Sequence, residues 1–204
     1  MRTAIIIIIT TFILNYNVLS GQTNWKLSNV LDSLVKEDQK WRELSRKVHN
    51  GEVDTFDLKT ISTNMNLTDS LDFLIVRNIF NQLGYPGHDL VGPTSSHNFW
   101  LIVQHMDNHP NFQDSVLTKM KIEVNKGNSS SLDYAYLVDR VKVNTKQPQI
   151  YGTQMLVNKD STSYEPKLLF DPDKVNERRK SVGLQPIEEY IKTMNERYFG
   201  TLKK

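Results

Sequence analysis

Gln104 and His105 lie at the end of the most apolar of the expected helices, in "FWLIVQH" (99–105). An imidazole titrates near neutrality and can give or take a proton, which makes His105 a candidate general acid/base. A buried polar pair also needs partners and often faces a cavity. The plainer reading is a core histidine donating to a backbone carbonyl, with Gln104 at the surface. A metal is not expected here. His105 and His109 have the i, i+4 spacing of a helical metal pair, but Pro110 pushes His109 out of helical geometry, and no third ligand has a supporting spacing.

Three further clusters carry polar chemistry. Asp139-Arg140 is embedded between Leu137-Val138 and Val141. Neighbours on a helix point about 100° apart and do not pair with each other. Either both face solvent, or one turns inward, and an inward guanidinium would be a fork-shaped anchor for a carboxylate or phosphate. Arg178-Arg179 poses the same choice. "QPQIYGTQ" (147–154) gathers Gln147, Gln149, Tyr151, Thr153 and Gln154 around one glycine, Gly152. It reads as an edge strand facing water or as the polar wall of a pocket, because a strand glycine often marks a bulge or a close approach. No nucleophile elbow, phosphate-cradling loop or paired-carboxylate motif is present, and no cofactor is expected.

The elements that must position these residues are mostly helical. From Trp25 to Val48, Leu27, Val30, Leu31, Leu34, Val35, Trp41 and Leu44 recur at helical spacing, and Gly51 follows as a stop. A second helix is expected from Thr68 or Asp69 to Gly84, followed by the turn "YPGHDLVGP". A third, apolar nearly all round, covers Thr94 to about Asp107. Pro110 opens a fourth that ends near Gly127, and "SSSLDYAYLVDRVKV" is a fifth with a serine cap. The single strand-like region, 149–157, is expected to pair with "KLLF" (167–170). Asp171-Pro172 reads as a capped helix start, Gly183 closes that helix, and Pro186 begins the last. The expected fold is mainly α: one helical domain over 21–204 with a small late β-hairpin, after an N-terminal signal peptide.

That signal is read from Arg2, the apolar run "AIIIIITTFIL" (4–14) and the small-residue boundary "NVLSGQ". The run is shorter than the roughly 20 residues a membrane span needs. Cleavage after Ser20 would leave no stable membrane anchor and an exported, periplasmic or secreted, chain. The sequence has no cysteine, which rules out a lipidated cysteine and disulfides and leaves the core to carry stability. Removal of residues 1–20 takes away Arg2 and no acid, so the formal charge falls from +2 to +1. A nearly neutral chain argues against a nucleic-acid partner, which calls for a strong basic excess or patch.

Six segments in register resemble a bacterial family catalogued as domain of unknown function 6624. They are "DQKWR" (38–42), "GYPGHDLVG" (84–92), "LIVQHMDNHPNFQ" (101–113), "AYLVDRV" (135–141), "PQIYGTQ" (148–154) and "DPDKVNERRKSVGLQPIEEY" (171–190). The resemblance covers about residues 31–190. It implies no activity, but polar residues within such a pattern more often serve a site than solubility. It therefore favours a pocket for a small polar or anionic ligand built from Gln104, His105, Asp139, Arg140, Tyr151 and Gln154, with Asp38, Gln39, Arg178 and Arg179 behind them. Two readings stay open. In one, the chain is an enzyme, hydrolysis being one option, with His105 as acid or base, Arg140 and Arg178 or Arg179 holding the anion, and Tyr151 and Gln154 orienting it. In the other, the same pocket only binds, as an accessory module of the cell envelope.

Overall fold

Asn24, Asp57 and Ser130 each stand just ahead of a helix and accept hydrogen bonds from its first free backbone N–H groups, the role that short polar side chains perform best. The computed structural model describes residues 23–54 and 57–200. Residues 1–20, expected to form a signal peptide, and the Lys203-Lys204 tail lie outside the described residues. Within them the chain is mainly helical, with one small late hairpin. The helices are α1 (Trp25–His49), α2 (Leu58–Leu83), α3 (His88–Gln104), α4 (Pro110–Asn125), α5 (Ser131–Asn144), α6 (Val175–Ser181) and α7 (Ile187–Phe199). Strands β1 (Met155–Val157) and β2 (Tyr164–Pro166) pair antiparallel, with Leu156 opposite Glu165. Among the described residues no helix is long and apolar enough to cross a membrane.

Four features differ from the sequence expectation. Helix α2 begins at Leu58 and not at Thr68 or Asp69, because Asp57 caps it through the N–H groups of Lys59 and Thr60. Its first turns, "LKTISTNMN", look like loop because Ser, Thr and Asn compete for the backbone. Here Thr63 and Asn64 donate to the carbonyls of Lys59 and Thr60, four residues back, which accommodates them inside the helix. Helix α3 starts at His88, within the expected turn. It kinks where Gly92 adopts φ 77° ahead of Pro93, and it ends at Gln104, so that His105 is its C-cap. Residues 149–154 are not strand. Gly152 sits at φ 72°, β1 starts only at Met155, and "KLLF" contributes one isolated parallel bridge, Leu169 to Gln149. Asp171, expected to cap, instead takes a left-handed conformation with no side-chain cap bond, and a 3-10 turn (Pro172–Lys174) leads into α6.

The described residues form two compact units. The first holds residues 23–108 and 118–129, that is α1, α2, α3 and the C-terminal part of α4. Its core contains Leu31, Ile61, Val76, Ile79, Phe99 and Ile102, all buried. Helix α1 is tied to α3 by Ser28, whose hydroxyl donates to the Val91 carbonyl at 2.9 Å, and by Asp32, which accepts from Ser95 and Asn98. Asn128 holds the start of α3: its carbonyl accepts from His88 N and its Oδ1 from Asp89 N, each at 2.9 Å. A methyl group on Gly87 would collide with that asparagine, so only glycine fits. The second unit holds residues 109–117 and 130–200, with Ala135, Leu137, Val141, Val175 and Ile187 in its core.

Candidate functional site

Helix α1 presents Asp38 and Arg42 four residues apart, a spacing that stacks the two side chains on one face. Arg42 Nε donates to Asp38 Oδ1 at 2.9 Å, and its Nη2 reaches Asp69 Oδ1 on α2 at 2.6 Å. Gln39 Nε2 donates to Asp38 Oδ2 at 2.7 Å. From the C-terminal end of α3, His105 places Nδ1 3.0 Å from Asp38 Oδ1. Helices α1 and α3 thus meet at the Asp38 carboxylate, and α2 joins them through the bond from Arg42 to Asp69. The Asp38 side chain is 2% exposed and the His105 side chain 16%, so the acid is sealed while the imidazole reaches the surface.

The electrostatics follow from this arrangement. Burial pushes the Asp38 carboxyl up, but the His105 hydrogen bond and charge, with Arg42 beside it, outweigh burial and hold it below its ordinary value of 3.8. Asp38 is therefore ionised at neutral pH and can only accept, which places the proton of the neutral imidazole on Nδ1 and leaves Nε2 bare. Among the described residues Nε2 makes no hydrogen bond. Asp69 is shifted the other way. Its partial burial, together with the negative charges of Asp38 and Asp107, raises it despite Arg42. A carboxylate that fixes a histidine tautomer and leaves the far nitrogen open is the arrangement of a general acid/base.

The second unit uses its polar residues differently. Asp139, on α5 and fully buried, accepts from the backbone N–H groups of Ile150 (2.7 Å), Tyr151 (2.9 Å) and Thr153 (2.8 Å). Burial pushes its carboxyl up, and these donors only partly offset that. Gln149 donates to the carbonyls of Gln154 (3.0 Å) and Lys167 (2.8 Å) and accepts from Gln154 N. Arg178 Nε donates to the Ile150 carbonyl at 2.8 Å, and its Nη2 to the carbonyls of Phe170 and Asp171. Arg179, fully buried, donates to the carbonyls of Gln185 and Tyr151, each at 2.6 Å, with the Tyr190 ring under its guanidinium. Side chains thus wrap the backbone of 149–154 into a fixed loop. Tyr151 and Arg140 are half-buried, and Gln154 is half-buried with its side-chain amide on Thr153 Oγ1.

Of the residues singled out in the sequence, Asp38, Gln39 and His105 come together in the first unit. Gln104 lies beside them in sequence, and its place is the reverse of the plain reading: Gln104 is buried and His105 is the partly open one. Asp139, Tyr151, Gln154, Arg178 and Arg179 come together in the second unit around the 149–154 loop. Arg42 and Asp69 were not singled out. The i, i+4 spacing of Asp38 and Arg42 was the available signal for the first, whereas nothing local marks Asp69, twenty-seven residues away from its partner.

No curated protein and no solved structure matches the chain. A family model does match, over residues 29–203, nearly the whole of the described chain and beyond the six motifs at both ends. By that match the chain belongs to DUF6624, a family of unknown function.

Proposed function

We propose that the first unit is an acid–base site in which His105 Nε2 moves a proton to or from a small polar ligand, in an exported chain. Asp38 orients the imidazole and stabilises the imidazolium that forms, while Arg42 and Gln39 hold Asp38. The observation that carries this reading is the open Nε2 of an imidazole whose Nδ1 is fixed by a sealed, ionised carboxylate. Asp69 feels the charges of Asp38 and Asp107, so the surroundings favour a neutral polar ligand over an anion. Hydrolysis of an amide or ester by water is one reaction class that a single positioned acid–base group can serve without a cofactor.

Turnover of a panel of small amides, esters and glycosides, including cell-wall fragments, tests the reading. His105→Asn should abolish turnover. Asp38→Asn should reduce it by about 10²–10⁴-fold, the range that positioned proton transfer and its orienting acid contribute. Wild-type turnover that survives His105→Asn would overturn the assignment. Binding without turnover would make the unit an accessory binding module.

A further inference from the structure

We infer that Trp41 Nε1 and Thr68 Oγ1 form a second subsite beside the His105 dyad, one that receives a neutral carbonyl oxygen of the ligand, as in an amide or ester. The inference rests on the acid–base reading above and names the group that its ligand presents. Two observations carry it. The first is that the indole N–H of Trp41 and the hydroxyl of Thr68 are both shielded from solvent and make no hydrogen bond among the described residues. Thr68 is 4% exposed as a whole residue. Buried polar groups are nearly always paired, and each one left unmade destabilises the fold. Two on helices that pack against each other point to a partner that comes and goes.

The second observation is where they stand. Trp41 is three residues after Asp38 and one before Arg42, and Thr68 immediately precedes Asp69. The 2.6 Å bond from Arg42 to Asp69 pins α1 against α2 at this level. Trp41 and Thr68 are thus the chain neighbours, one on each helix, of the two residues that form this bridge, whose other arm holds Asp38 and, through it, His105. An indole N–H only donates, and a threonine hydroxyl donates or accepts. Together they offer two donors to one oxygen with two lone pairs, which describes a carbonyl. A carboxylate would be repelled by Asp38 and Asp69, and an ammonium group would find no acceptor in the indole.

The test uses the mature chain and N-methylacetamide as the probe. The sequence has three tryptophans, and Trp41→Phe identifies the Trp41 indole N–H signal in ¹H–¹⁵N spectra. The probe should shift that signal saturably. Thr68→Val, which keeps the shape and removes the hydroxyl, should weaken the probe by roughly tenfold, the share of one hydrogen bond, while the melting temperature stays unchanged or rises. The subsite is overturned if the Trp41 signal does not respond to the probe. It is also overturned if Thr68→Val lowers the melting temperature by several degrees and leaves probe binding intact, because the hydroxyl then serves the fold. If the probe moves the His105 ring signals but not Trp41, the subsite fails and the acid–base reading stands. If Trp41 responds while turnover survives His105→Asn, the subsite stands and the acid–base reading fails.

Discussion

Asp38 carries the charge logic of the first unit, and that logic has a sign. A carboxylate whose folded pKa lies below its unfolded value adds stability above the unfolded value and loses it as pH falls through the folded one. Asp38 is depressed from 3.8 by His105 and Arg42 against the opposing effect of burial, so its contribution is complete at neutral pH and fades below about pH 4. Asp38→Asn should therefore cost about 1.5–3 kcal/mol at pH 7, the usual loss of hydrogen bonds to a charged group, and clearly less at pH 3. Denaturant titrations of both proteins at the two pH values check this. An equal deficit at both would contradict it. At this scale the sequence was partly legible. Asp38, Gln39 and Arg42 share one short segment, so their proximity could be read directly. The partners from other helices could not, since Asp69 and His105 lie 27 residues from Arg42 and 67 from Asp38. The order of Gln104 and His105 was misread because it depends on where α3 ends: a helix stopping at Gln104 releases His105 from the apolar face.

Among the elements, the 149–154 segment is where local pattern and tertiary structure part. Its alternating apolar and polar residues resemble a strand, yet Asp139, Arg178 and Arg179 pin its backbone from outside. Those partners come from α5 and α6, so no window of the sequence contains them together. Gly152 was legible as a special position, and the structure supplies the reason. Its φ is 72°, and an added Cβ would lie 2.5 Å from Ile187 Cδ1 and 3.1 Å from Leu169 Cδ2. Gly152→Ala should lower stability by about 2–4 kcal/mol, from left-handed strain plus overpacking, or about 5–15 °C in melting temperature at this size. A shift of under about one degree would show that the loop relaxes freely, contrary to its wrapped backbone. The helices themselves were easier to read, because caps such as Ser130 and stops such as Gly84 and Gly183 act within a few residues. The early start of α2 was hidden by polar side chains that bond back to their own helix.

For the whole molecule, the expectation of a mainly helical chain with one small late hairpin agrees with the structure, and the family match extends over residues 29–203. Periodicity gives such a class because it sums over many residues. A site depends on a few contacts between distant ones. The proposal of export rests on Arg2, the apolar run 4–14 and the small residues before Gly21, and it predicts an exported chain that begins at or near Gly21. Intact-mass measurement of that chain checks this, and a soluble form retaining Met1 would contradict it. The central claim is that His105 keeps Nε2 bare toward the ligand while Asp38 holds the proton of Nδ1. The measurement that meets it most directly is the ¹⁵N spectrum of the His105 imidazole in the intact mature chain, with the signals assigned through His105→Asn. The neutral ring should appear as the tautomer protonated on Nδ1, and Asp38→Asn should remove that preference. A neutral ring protonated on Nε2, or a tautomer indifferent to Asp38→Asn, would contradict the account.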